Sequence, residues 1–115
     1  MKKKIGLVLF SLLLITSASI AQATKKTETI KVYGNCDMCK EKIEGSLKKK
    51  DGIISKKWDS KTLALSVTYD TSKINIKQIG QKVADVGYDN EYATAKDETY
   101  SKLHGCCQYD RPKKQ

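Results

Sequence analysis

The chain is short of the residues on which most catalytic sites are built. In 115 residues it has one histidine, His104, and one proline, Pro112. No Ser/His/Asp set, phosphate-binding glycine loop or paired-carboxylate arrangement stands out, and a 12.9 kDa chain has room for a single domain. The expectation is therefore a protein that is not an enzyme. Long hydrophobic runs are missing too. The apolar stretch Ile5–Ile15 covers 11 residues, whereas a spanning helix needs roughly 20, so the chain does not read as a membrane protein.

What residues 1–23 do offer is a basic start (Lys2, Lys3, Lys4), that short apolar stretch, and small residues ending at Ala21-Gln22-Ala23. This is the pattern of a secretory signal peptide. It implies a mature chain from about Thr24 that is exported or periplasmic and meets a membrane only during export. Removing the segment takes +3 from the formal net charge of +9 and leaves 92 residues at +6. The remaining lysines are spread out, apart from Lys48-Lys49-Lys50, with no interleaved aromatics for base stacking. Nucleic acid is accordingly not expected as a partner.

The rest of the chain reads as two βαβ halves. Thr24–Thr27 is polar and expected to fray. Glu28–Tyr33 alternates as a strand, and Gly34-Asn35 ends it. Cys39, Ile43 and Leu47 then recur at helical spacing to about Lys49, with Asn35 as the expected N-cap. Ile53–Trp58 reads as a strand whose Lys56 and Lys57 suit a sheet edge. Asp59-Ser60-Lys61 supplies a turn. Thr62–Tyr69 is the clearest strand, with Leu63, Leu65, Val67 and Tyr69 inward. Ile76, Ile79, Val83 and Val86 mark an amphipathic helix ended by Gly87, and Tyr88–Ala95 is the last strand. The order β-α-β-β-α-β predicts an α+β, ferredoxin-like fold: a four-stranded antiparallel sheet with both helices on one face. It would occupy residues 24–95 with a core of roughly a dozen apolar side chains, followed by a tail, 96–115.

Four cysteines in two close pairs are the chain's most informative feature. Cys36-Asp37-Met38-Cys39 sits where the first strand hands over to the first helix. A spacing of three places both sulfurs on one side of the first turn, where free N–H groups favour thiolate. Two thiolates with no hard ligands nearby suit Cu(I) first, and also Hg(II) or Ag(I); a closed Zn(II) site would want four ligands. A redox-active dithiol and a structural disulfide are alternatives for the same pair. The loop proline expected beside a thioredoxin-type site is missing, since the only proline is Pro112.

A strand, then Gly34-Asn35-Cys36-Asp37-Met38-Cys39, then a helix, resembles the heavy-metal-associated domain family, which includes soluble copper chaperones and the periplasmic mercury-binding protein. Asp51-Gly52-Ile53, Val67-Thr68-Tyr69-Asp70 and Gly87-Tyr88-Asp89 extend the resemblance over about Glu28–Ala95. It implies that Cys36 and Cys39 bind metal and that Tyr88 approaches the site from the loop before the last strand. It also implies that a metal-donating or metal-accepting partner, such as a metal transporter or a related metal-binding domain, exchanges the ion through shared thiolates. One departure is plain. The family commonly carries a methionine two residues before the first cysteine, a position held here by Gly34.

The second pair belongs to His104-Gly105-Cys106-Cys107, after an expected short helix at about Asp97–Leu103. His104, Cys106 and Cys107 could add ligands to the first site, form a site of their own, or bridge to another chain. Sequestration by all four cysteines is a further alternative. The fourth strand should carry the chain roughly 20 Å from the metal loop at ~3.3 Å per residue, and a seven-residue helix returns only ~10 Å.

Overall fold

A computed structural model describes residues 24–113; the expected signal peptide lies outside the described residues. The elements run β1 (Lys25–Lys31), α1 (Asp37–Gly45), β2 (Ile53–Trp58), β3 (Ala64–Asp70), α2 (Ile76–Asp85) and α3 (Asp97–Ser101), with single 3-10 turns at Lys49–Asp51 and Gly105–Cys107. The sheet is antiparallel in the order β1-β3-β2. Among the described residues no helix is long and apolar enough to cross a membrane.

β3 is central because its alternation is unbroken: Leu65, Val67 and Tyr69 are buried while Ser66 is exposed. β2 takes the edge, as its lysines suggested. Its phase depends on a bulge. Ile53 faces Tyr69 but Ser55 already faces Thr68, so Ile54 is an extra residue and stands exposed. That shift lets Ile53 and Trp58, five positions apart, both point into the core, which a regular period of two forbids.

Four expectations need correction. Residues 25–27 are not frayed but pair with β3 across Lys25↔Asp70 and Thr27↔Thr68. α1 stops at Gly45 because the Ser46 hydroxyl turns back onto the Ile43 carbonyl and Lys48 is already extended. Leu63 lies before β3 at φ 63°, in a turn where the Asp59 carboxylate accepts from the N–H groups of Lys61 and Thr62. The fourth strand does not form; the sheet has three strands and an isolated Val32↔Asn90 bridge. The Asn90 side chain is the reason. Its amide donates to the Gly80 and Tyr88 carbonyls, while its oxygen accepts from Tyr92 and Ala93 N–H. Those bonds turn the chain after one pair of backbone hydrogen bonds with the end of β1, Tyr33 N–H to the Asp89 carbonyl and Glu91 N–H to the Lys31 carbonyl.

α2 opens with a full capping box between Asn75 and Gln78. It closes on Gly87 at φ +110°, whose N–H reaches Ala84 while that of Tyr88 reaches Val83. Both helices bury their apolar stripe, Cys39 and Ile43 on α1 and Ile79 and Val83 on α2, in one core with Ile30, Leu65 and Val67. The tail joins that core. Leu103, Cys107 and Tyr109 are buried within it, and a Cβ on Gly87 would meet the Leu103 side chain at 3.1 Å.

Candidate metal centre

Cys36 is itself the N-cap residue of α1, with φ −150° and ψ 176°. The expected cap, Asn35, is used differently: its side-chain oxygen accepts from the Cys39 thiol at 3.1 Å. The Cys36 sulfur makes no capping hydrogen bond of ordinary geometry. Even so, the backbone N–H of Cys39, above all, holds the Cys36 thiol below its usual pKa against the opposing effect of burial, with Met38 N–H adding to it. The two sulfurs of the motif stand 3.5 Å apart. Cys36 is half-buried and Cys39 fully buried.

Beneath this turn lies Trp58. Its indole N–H donates to the Val32 carbonyl at 3.0 Å, and its ring fills the space a side chain at position 34 would take. A Cβ on Gly34 would come within 2.9 Å of the ring. The indole thus supports the loop from below, and glycine is required above it. Lys40 and Glu44 tie the same tryptophan to α1: Lys40 donates to the Trp58 carbonyl at 2.9 Å, and the Glu44 carboxylate accepts Trp58 N–H at 3.0 Å.

The tail brings the second cysteine pair to the first. Cys107 sulfur lies 3.8 Å from that of Cys36 and 3.9 Å from that of Cys106. The sulfurs of Cys36, Cys106 and Cys107 all fall within 4.8 Å of one another. Cys107 is buried, and burial, aided by the sulfurs of Cys39 and Cys36, pushes its thiol up to about 12. Cys106 is exposed, its thiol 3.4 Å from the Met38 sulfur. All four cysteines are free thiols. His104 is exposed and stands outside this sulfur cluster. The long return path expected for the tail is not needed, because the chain turns at Asn90 instead of extending as a fourth strand.

Tyr88 is fully buried with its hydroxyl towards Cys39 and Cys107, and that oxygen has no hydrogen-bond partner. Burial, then those two sulfurs, drives its pKa far above the ordinary phenol value. Its ring stacks on Tyr109 at 5.6 Å, and Tyr100 meets Tyr109 edge-on at 5.1 Å. Arg111, the chain's single arginine, clamps the tail. It grips both oxygens of the buried Asp89 carboxylate at 2.8 and 2.9 Å and reaches Asp97 and the Ala95 carbonyl at 2.6 Å. Burial alone would raise the Asp89 carboxyl, but Arg111 and the Ala95 N–H outweigh it and hold its pKa below the usual carboxylate range. The Arg111–Asp89 clamp escaped the sequence reading, and no local pattern marks it.

The model of the heavy-metal-associated domain matches residues 29–89 of the chain. The chain belongs to the heavy-metal-associated domain family. It is similar to the copper chaperone CopZ of Staphylococcus haemolyticus, 32% identical over 63 residues, covering 54% of this chain and 93% of that protein. It is likewise similar to the mercuric transport protein periplasmic component of Shewanella putrefaciens, 35% identical over 83 residues, or 71% and 90% of the two chains. A solved CopZ metallochaperone superposes with a TM-score of 0.54 at 33% identity, covering 56% of this chain and 98% of that one. The family match ends at Asp89. Cys36 and Cys39 lie inside the matched segment, and Cys106 and Cys107 outside it.

Proposed function

We propose that the chain is an exported carrier that captures a thiophilic ion, Cu(I) first among the candidates, on Cys36 and Cys39 and passes it to a partner's cysteine pair. The observation that supports this most is the placement of two free thiols 3.5 Å apart on the first turn of α1, one favoured as thiolate by the backbone N–H of Cys39. Two soft, closely set donors favour a soft monovalent or divalent ion. Half-exposure of Cys36 leaves a path for an incoming thiolate. That thiolate bonds to the ion, a three-coordinate intermediate forms, and a departing cysteine recovers a proton from solvent. The partner is a metal transporter or another metal-binding domain. Export is supported by the basic-then-apolar pattern of residues 1–23 and by the likeness to a periplasmic relative.

Native mass spectrometry of the reduced mature chain, titrated with Cu(I) against a competing chelator, tests the reading. One copper per chain is expected, and the Cys36→Ser/Cys39→Ser variant should retain none. A wild type that holds no copper, or a metal-free wild type that turns over a disulfide substrate, would replace metal transfer with thiol-disulfide exchange.

A further inference from the structure

The tail is not needed to complete the family domain, yet it places two more sulfurs against the first pair. The spacing is informative. With a metal–sulfur bond of ~2.3 Å, two sulfurs across a linear ion sit ~4.6 Å apart, across a trigonal one ~4.0 Å, and across a tetrahedral one ~3.8 Å. The Cys36–Cys39, Cys36–Cys107 and Cys106–Cys107 distances of 3.5, 3.8 and 3.9 Å, with Cys36, Cys106 and Cys107 mutually within 4.8 Å, match the sulfur–sulfur edges around a three- or four-coordinate ion better than the span of a linear one. A linear site on Cys36 and Cys39 would have to open by ~1.1 Å.

A second observation points the same way. The Tyr88 hydroxyl is buried and unpartnered, and it faces Cys39 and Cys107. A buried hydroxyl left unpaired is costly, and a thiol is a weak acceptor, whereas a metal-bound thiolate accepts strongly. The phenol is therefore placed for a loaded site with deprotonated sulfurs at both cysteines, one from each pair. His104, whose residue type would suit zinc, is not part of the cluster.

We propose that Cys107 is a third thiolate ligand beside Cys36 and Cys39, with Cys106 at the rim, so that the tail closes over the ion. This rests on the reading of Cys36 and Cys39 as metal ligands. Each thiol releases its proton to solvent as it binds, and the Tyr88 hydroxyl donates to the resulting sulfur cage. Cys106 and Met38, both exposed, form the mouth. The ion leaves when the tail loosens, and the clamp that sets this is Arg111 on Asp89.

Copper K-edge absorption of the Cu(I)-loaded wild-type mature chain counts the sulfurs directly. Three or four are expected, falling to two in Cys106→Ala/Cys107→Ala, which should also lose affinity in chelator competition by more than about 100-fold, beyond the ~10–100-fold that losing an outer-shell partner costs. Two sulfurs in the wild type would overturn the inference, while loss of copper from Cys36→Ser/Cys39→Ser would leave the first reading standing. Copper retained by that variant would overturn both. Should the alanine variant not fold, the wild-type count still decides. Arg111→Gln keeps all four thiols and should release copper to the chelator faster; an unchanged rate would overturn the tail's control of release.

Discussion

The two long helices begin in opposite ways. At α2, the Asn75 side chain accepts from Gln78 N–H and the Gln78 side chain answers to Asn75 N–H, so the free donors of the first turn are met locally. At α1, Cys36 occupies the N-cap with no capping hydrogen bond. The donors that α2 satisfies with an amide are left at α1 facing a sulfur. The difference shows where stability has been given up. α1 keeps its N–H groups available to a thiolate, and its start is held from beneath by Trp58, which packs under Gly34.

The strongest way to break the contrast is to remove that support. Trp58→Ala deletes a fully buried indole and is expected to cost about 3–5 kcal/mol, lowering Tm by more than about 12 °C. Hydrogen exchange should accelerate at the amides of residues 34–40 well before those of 75–79. Equal acceleration at both helix starts would mean that the tryptophan stabilises the core as a whole and not the metal turn in particular.

A smaller effect is expected from the other helix. Asn75→Ala removes the cap of α2 and should destabilise by about 1 kcal/mol, visible as a Tm shift of about 4–8 °C. Metal stoichiometry should not change, because no element of the sulfur cluster lies on α2. Loss of copper in this variant would show that the two helix starts are coupled.

These contrasts bear on how far the sequence could be read. Periodicity located β2, β3 and α2 closely, since each is decided by neighbours within a few residues. The Cys-x-x-Cys turn was legible for the same reason. The phase of β2 was not, because the bulge at Ile54 shows only once Ile53 and Trp58 must share a core. Tyr88–Ala95 reads as a strand by composition, yet Asn90 spends its side chain on three neighbouring backbone groups and the Gly80 carbonyl of α2, and turns the chain. Docking of the tail depends on contacts twenty or more residues apart, Tyr88 with Tyr109 and Asp89 with Arg111. Nothing in residues 104–107 alone says which surface they meet, so the sulfur cluster had to be seen to be counted.

The smallest expected effect has the opposite sign. Serine is among the best N-cap residues, and the Cys36 position already has cap geometry, with a sulfur that makes no capping hydrogen bond of ordinary geometry. The Cys36 thiol also points at the Cys106 carbonyl, 3.4 Å away, so a hydroxyl there can accept from the helix and donate to the tail. Cys36→Ser should therefore stabilise the metal-free chain by about 0.5–1 kcal/mol, raising Tm by a few degrees, while it abolishes one-to-one copper retention. A gain in stability together with a loss of metal would show that the cysteine is kept at the cap for its sulfur and not for the helix. A destabilised Cys36→Ser chain would mean instead that the thiol's packing against Cys39 and Cys107 outweighs the missing cap, and that the uncapped start of α1 is compensated within the sulfur cluster itself.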